Sequence, residues 1–213
     1  MKSVRLVLML VALAALCACS ADNKPAAKSA EPAKPEKKEP LLYTGREAFQ
    51  KMYLSAHLWV ADAKPYRLES QVNAESNGKD GKATIWRSGF ASLTRRGLKS
   101  FLWSGSQLPD AASPGVSSGV EDTYNPSNSS TQTFDFAFLK VDSDKAYEVA
   151  LKHGGDKLEK ASKGKGQPVF YILDWSPREN ILTWHVIFGT DQQDAKLRVA
   201  INASTGDFLR VEK

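Results

Sequence analysis

Cysteine stops at residue 19. The chain has two cysteines, Cys17 and Cys19, and the 194 residues that follow contain no thiol, so whatever folds there folds without a disulfide. Cysteine-based metal sites, redox pairs and thiol nucleophiles are excluded in that part for the same reason. Without such staples a fold rests on apolar burial alone. The material is present, because residues 41–213, 173 in all, hold all five tryptophans and all nine phenylalanines. That length and content fit one domain or two small halves.

The first nineteen residues read differently. Lys2 and Arg5 lead into an apolar run of eleven residues from Leu6 to Leu16, short of the roughly 20 that a helix needs to span a bilayer. A charged start, an apolar segment and a small residue before a cysteine are the parts of a cleavable secretory segment. Leu16-Cys17-Ala18-Cys19 resembles the bacterial lipobox: an aliphatic residue, a variable one, a small one, then cysteine. The resemblance implies that residues 1–18 are a lipoprotein signal peptide and that Cys19 becomes the acylated first residue, the site of lipid attachment. In the bacterial sorting scheme, Ser20 in the next position implies the outer membrane, with the domain facing the periplasm.

Residues 19–40 continue as the lipidated cysteine and its tether. Positions 20–40 carry five lysines, four acidic residues and four prolines, and such a segment cannot bury enough surface to fold. Fully extended, at ~3.3–3.6 Å per residue, it reaches roughly 70 Å. The formal net charge of +5 includes Lys2, Arg5 and an excess of one in the tether, which leaves about +2 on the rest. That is too little and too mixed in sign for a nucleic-acid reader.

Two helices and a set of strands are legible in the remainder. Thr44-Gly45-Arg46-Glu47 is a capping box, and Ala48, Met52, Ala56 and Trp59 follow at helical spacing, which predicts a helix over about 45–61. Alternation then predicts strands near 66–74, 83–93 and 98–104, with Thr94-Arg95-Arg96-Gly97 as a tight turn whose glycine supplies a positive φ. Asp142 caps a second helix expected to stop at Gly154-Gly155. Strands follow near 168–175, 180–190, 196–202 and 207–212, with turns at Pro177-Arg178-Glu179-Asn180 and Ala203-Ser204-Thr205-Gly206. Phe134, Phe136 and Phe138 alternate as a half-buried strand would.

The stretch 142–213 resembles a PepSY-type unit. Ala146-Tyr147-Glu148-Val149-Ala150-Leu151 matches its helix, Val169-Phe170-Tyr171-Ile172-Leu173 and Trp184-His185-Val186-Ile187-Phe188 its strands, and Val199-Ala200-Ile201-Asn202-Ala203-Ser204-Thr205-Gly206-Asp207 its closing hairpin. Asn202 stands where that family shows aspartate. Residues 41–141 repeat the order of elements, so the chain divides at 141/142 into two α+β halves, a possible tandem. The resemblance implies a small non-catalytic envelope module, linked to protease inhibition or to regulation of a neighbour.

The chemistry-bearing residues are sparse. His57, His153 and His185 have no ligand spacing to one another, and no metal or other cofactor is expected. Gly-x-Ser-x-Gly, Ser-x-x-Lys and His-Glu-x-x-His are absent, so no catalytic residue is assigned. The run 105–130 is too long for an ordinary connection and reads either as a loose excursion or as a binding lip offering Glu121, Asp122 and Tyr124. Trp86, Trp103 and Trp175, with Phe90 and Phe101, could form a stacking platform if exposed. Residues 157–166 read as a solvated basic loop.

The expectation is therefore an α+β protein, two helices packed on antiparallel sheet, bound to a membrane through its lipid. It is expected to bind an envelope protein and to catalyse nothing. The alternatives are a binder of cell-wall glycan or another small envelope ligand, and an unrecognised hydrolase.

Overall fold

The computed structural model describes residues 38–162 and 166–212. The signal segment, Cys19 and the tether up to residue 37 lie outside the described residues. Chain order is β1 (Tyr43–Thr44), α1 (Gly45–Trp59), β2 (Lys64–Ser70), β3 (Lys82–Ala83), β4 (Ile85–Ser92), β5 (Gly97–Ser104), β6 (Gly115–Thr123), α2 (Ser143–Ala150), α3 (Asp156–Ala161), β7 (Val169–Ser176), β8 (Ile181–Phe188), β9 (Leu197–Asn202) and β10 (Phe208–Glu212). Eight strands form one antiparallel sheet in the order β10-β9-β8-β7-β2-β4-β5-β6. The fold is α+β, with α1 and α2 on one sheet face.

Local chemistry sets the helix starts. Thr44 Oγ1 accepts from the Glu47 N–H at 3.4 Å, and Glu47 Oε2 accepts from the Thr44 N–H at 2.9 Å, so the capping box is closed in both directions. Ala48, Phe49, Met52 and Ala56 form the buried stripe of α1. Asp142 caps α2 through the Ser143 N–H and also accepts from the Arg46 N–H at 2.9 Å. Ser143 Oγ accepts from the Gly45 N–H at 2.7 Å and donates to the Gly81 carbonyl at 2.6 Å. The two helix starts are thus held against each other by shared caps.

The segments 41–141 and 142–213 contribute four sheet strands each and meet where β2 pairs with β7, Leu68 opposite Leu173. Both supply the same core: Phe49, Trp86 and Phe90 from the first, and Tyr171, Trp184 and Phe188 from the second, are wholly buried together. The correspondence runs at a constant offset through the helix starts and second strands, Thr44 with Asp142, Trp86 with Trp184, Phe90 with Phe188.

Several expectations change at this level. The positive φ of the β4–β5 turn falls on Arg96 (53°), whereas Asn180 (57°) and Gly206 (83°) take theirs as expected. Gly97 serves proximity instead, because a Cβ there would lie 2.7 Å from Glu121 Oε1. The chain leaves helical geometry at His153 (φ −104°) and Gly154 (φ 119°), as the glycine pair predicts, but after this kink it resumes as α3. Residues 157–161, read as basic loop, are therefore helical. Phe134, Phe136 and Phe138 do not form a strand: Phe136–Phe138 is a 3-10 turn capped by Asp135, and Phe134 is buried against Phe49. Phe134 does reach a strand, donating its N–H to the Pro65 carbonyl of β2 at 2.8 Å, but Asp135 turns the chain immediately after it and the rings of Phe134 and Phe136 pack on Phe49 of α1 instead.

Candidate functional site

The sheet ends in two unlike edges. β10 is short, five residues, has a bulge between Phe208 and Arg210, and carries Arg210 and Glu212. Arg210 pairs with Glu179 of the β7–β8 turn and, at 2.7 Å, with Glu212. Short length, a bulge and charges are the usual guards of a sheet edge. β6 runs for nine residues, all exposed, and Gly115–Val120 contains no charge. Its inner side pairs with β5, from Gly97 opposite Thr123 to Ser104 opposite Gly115, with a bulge in β6 between Ser118 and Glu121, which face Phe101 and Lys99. Among the described residues no strand pairs with its outer side.

β6 lies inside the run 105–130, so the segment expected to be a loose excursion or a lip contains an edge strand. The signal for a strand was weak, because Gly115-Val-Ser-Ser-Gly-Val has low β-propensity and no apolar alternation. Hydrogen bonding to β5 rather than side-chain burial places it.

The three residues expected on the lip divide. Glu121 accepts from Trp59 Nε1 at 2.9 Å and from both arms of Arg95 at 3.2 and 3.1 Å. The Arg95 guanidinium first, then the Trp59 N–H, hold its carboxyl below the usual carboxylate range. Glu121 therefore ties the end of α1 to the β4–β5 turn. Asp122 is exposed opposite Leu98, with its Oδ1 accepting from the Thr123 N–H at 2.6 Å. Tyr124 is buried and donates its backbone N–H to the Arg96 carbonyl at 2.8 Å, so it offers no ring to a ligand.

The aromatic platform is not at the surface. Trp86 is fully buried, and Trp103, 3% exposed, stacks on Tyr43 with centroids 4.2 Å apart. Trp175 is half-buried against Phe138, with its indole N–H buried and without a partner. Their alternation with polar neighbours put these rings on the face that α1, α2 and the Phe134–Phe138 segment cover.

Sequence reasoning missed a charge cluster on the opposite sheet face. His185 Nδ1 bonds to Glu212 Oε2 at 2.8 Å and Nε2 to Asp174 Oδ1 at 3.2 Å. Arg67 then bridges Asp174 at 3.3 Å and Glu69 at 3.0 Å. Burial works to lower the imidazole pKa, but the bonds to Asp174 and Glu212 outweigh it and raise it to about 9. Glu212 answers in the other direction: burial would raise its carboxyl, and His185 brings it below the ordinary value. With both nitrogens facing carboxylates, this imidazole keeps its proton and has none free to take one from a substrate. The partners are 11 and 27 positions away in sequence, and only register brings them together. His57 and His153 are elsewhere, His57 on Tyr53 and His153 stacked on Phe208 at 3.7 Å.

Among the described residues no helix is long and apolar enough to cross a membrane. No family profile and no curated protein matches the sequence. The fold is similar to that of a solved structure from Clostridium difficile 630, a "putative lipoprotein" by name, at a TM-score of 0.53 and 11% identity over 82% of this chain and 99% of that one. At that identity the likeness is one of fold.

Proposed function

We propose that this chain is a lipid-anchored protein of the bacterial envelope, attached through Cys19, whose domain is a non-catalytic module that binds a protein partner by strand addition along β6. The observation that carries the reading is the contrast of edges: β10 is five residues with charges at Arg210 and Glu212, whereas β6 runs for nine, and its first six, Gly115–Val120, are exposed and uncharged despite a bulge after Ser118. An extended partner segment would satisfy its outward N–H and C=O groups. A second copy added edge to edge would make a sheet of sixteen strands, and strongly twisted open sheets rarely exceed about ten without curling, splitting or flattening. A separate envelope protein with an extended segment fits better. Ser20 supports the outer membrane as the destination, and the PepSY-type pattern of 142–213 supports a regulatory role.

Two experiments test this. A Cys19→Ser chain is expected to leave the membrane fraction, and its retention there would end the anchor reading. A photoreactive residue at Ser117, on the edge strand, is expected to crosslink one protein in cells, and Val120→Lys to abolish the adduct. Equal crosslinking from Arg178, in the β7–β8 turn and away from β6, would overturn strand addition at β6.

A further inference from the structure

Ala48, Met52 and Ala56 face the core, and Leu54 and Leu58, half a turn further on, stand on the outer side of α1, 69% and 89% exposed. The apolar surface continues into the chain before the helix. Tyr43 lines one groove with Glu47, Gln50, Lys51 and Leu54 and stacks on Trp103, and Leu41, 55% exposed, lies against Gly105 beside the same Trp103 ring, its N–H donating to the Gly105 carbonyl at 2.9 Å. The charges around the groove are accommodated. Glu47 is taken up by the Thr44 N–H and hydroxyl in the cap, and the Lys51 ammonium, 5.4 Å from the Tyr43 ring, rides on a stem long enough to lift its charge clear of apolar surroundings.

Where the chain leads from here points to what covers these leucines. The described residues begin at Lys38, three positions before Leu41, and residues 20–37 join them to Cys19. That stretch offers no side chain more apolar than alanine or proline, so it is poor cover for leucine. Extended, the tether reaches roughly 70 Å, and a domain on such a leash meets the lipid surface as an intramolecular partner, at an effective concentration that lets a few leucines suffice. We propose that the outer side of α1, with Leu41, is a membrane-docking surface: Leu54 and Leu58 enter the boundary between headgroups and acyl chains of the membrane that holds Cys19, and Lys51 stays among the headgroups. The inference rests on the anchor at Cys19 and not on strand addition at β6. Since α1 lies on one face of the sheet, docking turns the other face, with Asp174, His185 and Glu212, away from the lipid.

The test uses the mature chain, acylated at Cys19, in vesicles of three parts phosphatidylethanolamine to one part phosphatidylglycerol, recovered by flotation. The sequence after residue 19 has no cysteine, so Leu58→Cys and, on the opposite sheet face, Arg87→Cys each take one nitroxide label. Both positions are exposed, which spares the fold. The label at residue 58 is expected to be open to oxygen dissolved in the lipid and severalfold less accessible to a water-soluble nickel chelate than the label at residue 87. Adding Leu54→Glu should restore nickel access at residue 58. Equal nickel access at the two positions in floated vesicles, or no response to Leu54→Glu, overturns docking and leaves the anchor standing. Shielding of residue 58 from both reagents would mean that protein covers it, and overturns lipid as the occupant. A chain that fails to float with the vesicles overturns the anchor, and docking with it.

Discussion

The indoles of Trp86 and Trp184 meet edge to face, 6.4 Å apart at 70°, and each donates its N–H at 2.9 Å to a carbonyl 43 positions earlier in the chain. The acceptors, Tyr43 and Val141, are the residues immediately before the caps of α1 and α2. Each tryptophan therefore fastens the entry of one helix to the second sheet strand of its own segment. Replacing either by phenylalanine leaves a part-buried carbonyl without its donor and a void beside the other indole. A loss of about 2–4 kcal/mol is expected for each variant, similar in the two. Urea unfolding followed by fluorescence and by circular dichroism measures it, and coincident curves are expected because both rings belong to one core.

Gly45 sits under that pair. A Cβ there would lie 2.7 Å from the Trp184 ring and 3.1 Å from Trp86. Gly45→Ala ordinarily favours a helix, yet here the steric cost should dominate, with a net destabilisation of about 1–3 kcal/mol. A rise in melting temperature would show that the indoles can move apart.

His185 gives stability a slope on the alkaline side. Its pKa is raised in the folded state, from 6.5 to about 9, so the folded form holds the proton more tightly than the unfolded one. The contribution is complete below 6.5 and fades as pH climbs through about 9. It amounts to about 3 kcal/mol at most, reduced by whatever the flanking carboxylates relax. Denaturation midpoints at pH 6 and 9.5 should differ in the parent and converge in His185→Gln. For Glu212 the sign is opposite: its lowered carboxyl contributes at neutral pH, and that contribution is lost as the solution is acidified through the folded value.

Asp62 performs for the β4–β5 turn what a cap performs for a helix. Three donors from Ser92 and Thr94 converge on it, and the Ser92 hydroxyl, then the Thr94 N–H, bring its carboxyl to about 2. Because the group is close to solvent, Asp62→Asn should cost only about 0.5–1 kcal/mol. Hydrogen exchange at Thr94 and Arg95 is expected to quicken in that variant while exchange in β8 stays unchanged.

Elements carried by local chemistry were legible before the structure. Thr44 and Asp142 announced the helices, and Asn180 and Gly206 announced turns, because each acts on backbone within four residues of itself. What escaped was set by partners distant in sequence. β6 is a strand because β5 offers it hydrogen bonds, and nothing in Gly115–Thr123 says so alone. Trp86 and Trp103 read first as core and second as a surface platform, and which of the two holds is decided only when the helices are placed above them. The ring of His185 gave no hint of Asp174 and Glu212, since register alone aligns the three. Phe134 and Phe136 show the opposite failure, a pattern with the period of a strand used to fill space against Phe49.

The seam between β2 and β7 has a kinetic meaning. Leu68 waits for Leu173, so a chain emerging from its amino end presents β2 with one side paired to β4 and the other bare until more than half of the domain has followed. Contacts so far apart in sequence are slow to close. During that interval the nascent protein has two open edges, β2 and β6, of which folding later hides only the first. Conditions that slow delivery of the second segment should therefore raise aggregation more than a loss of final stability would.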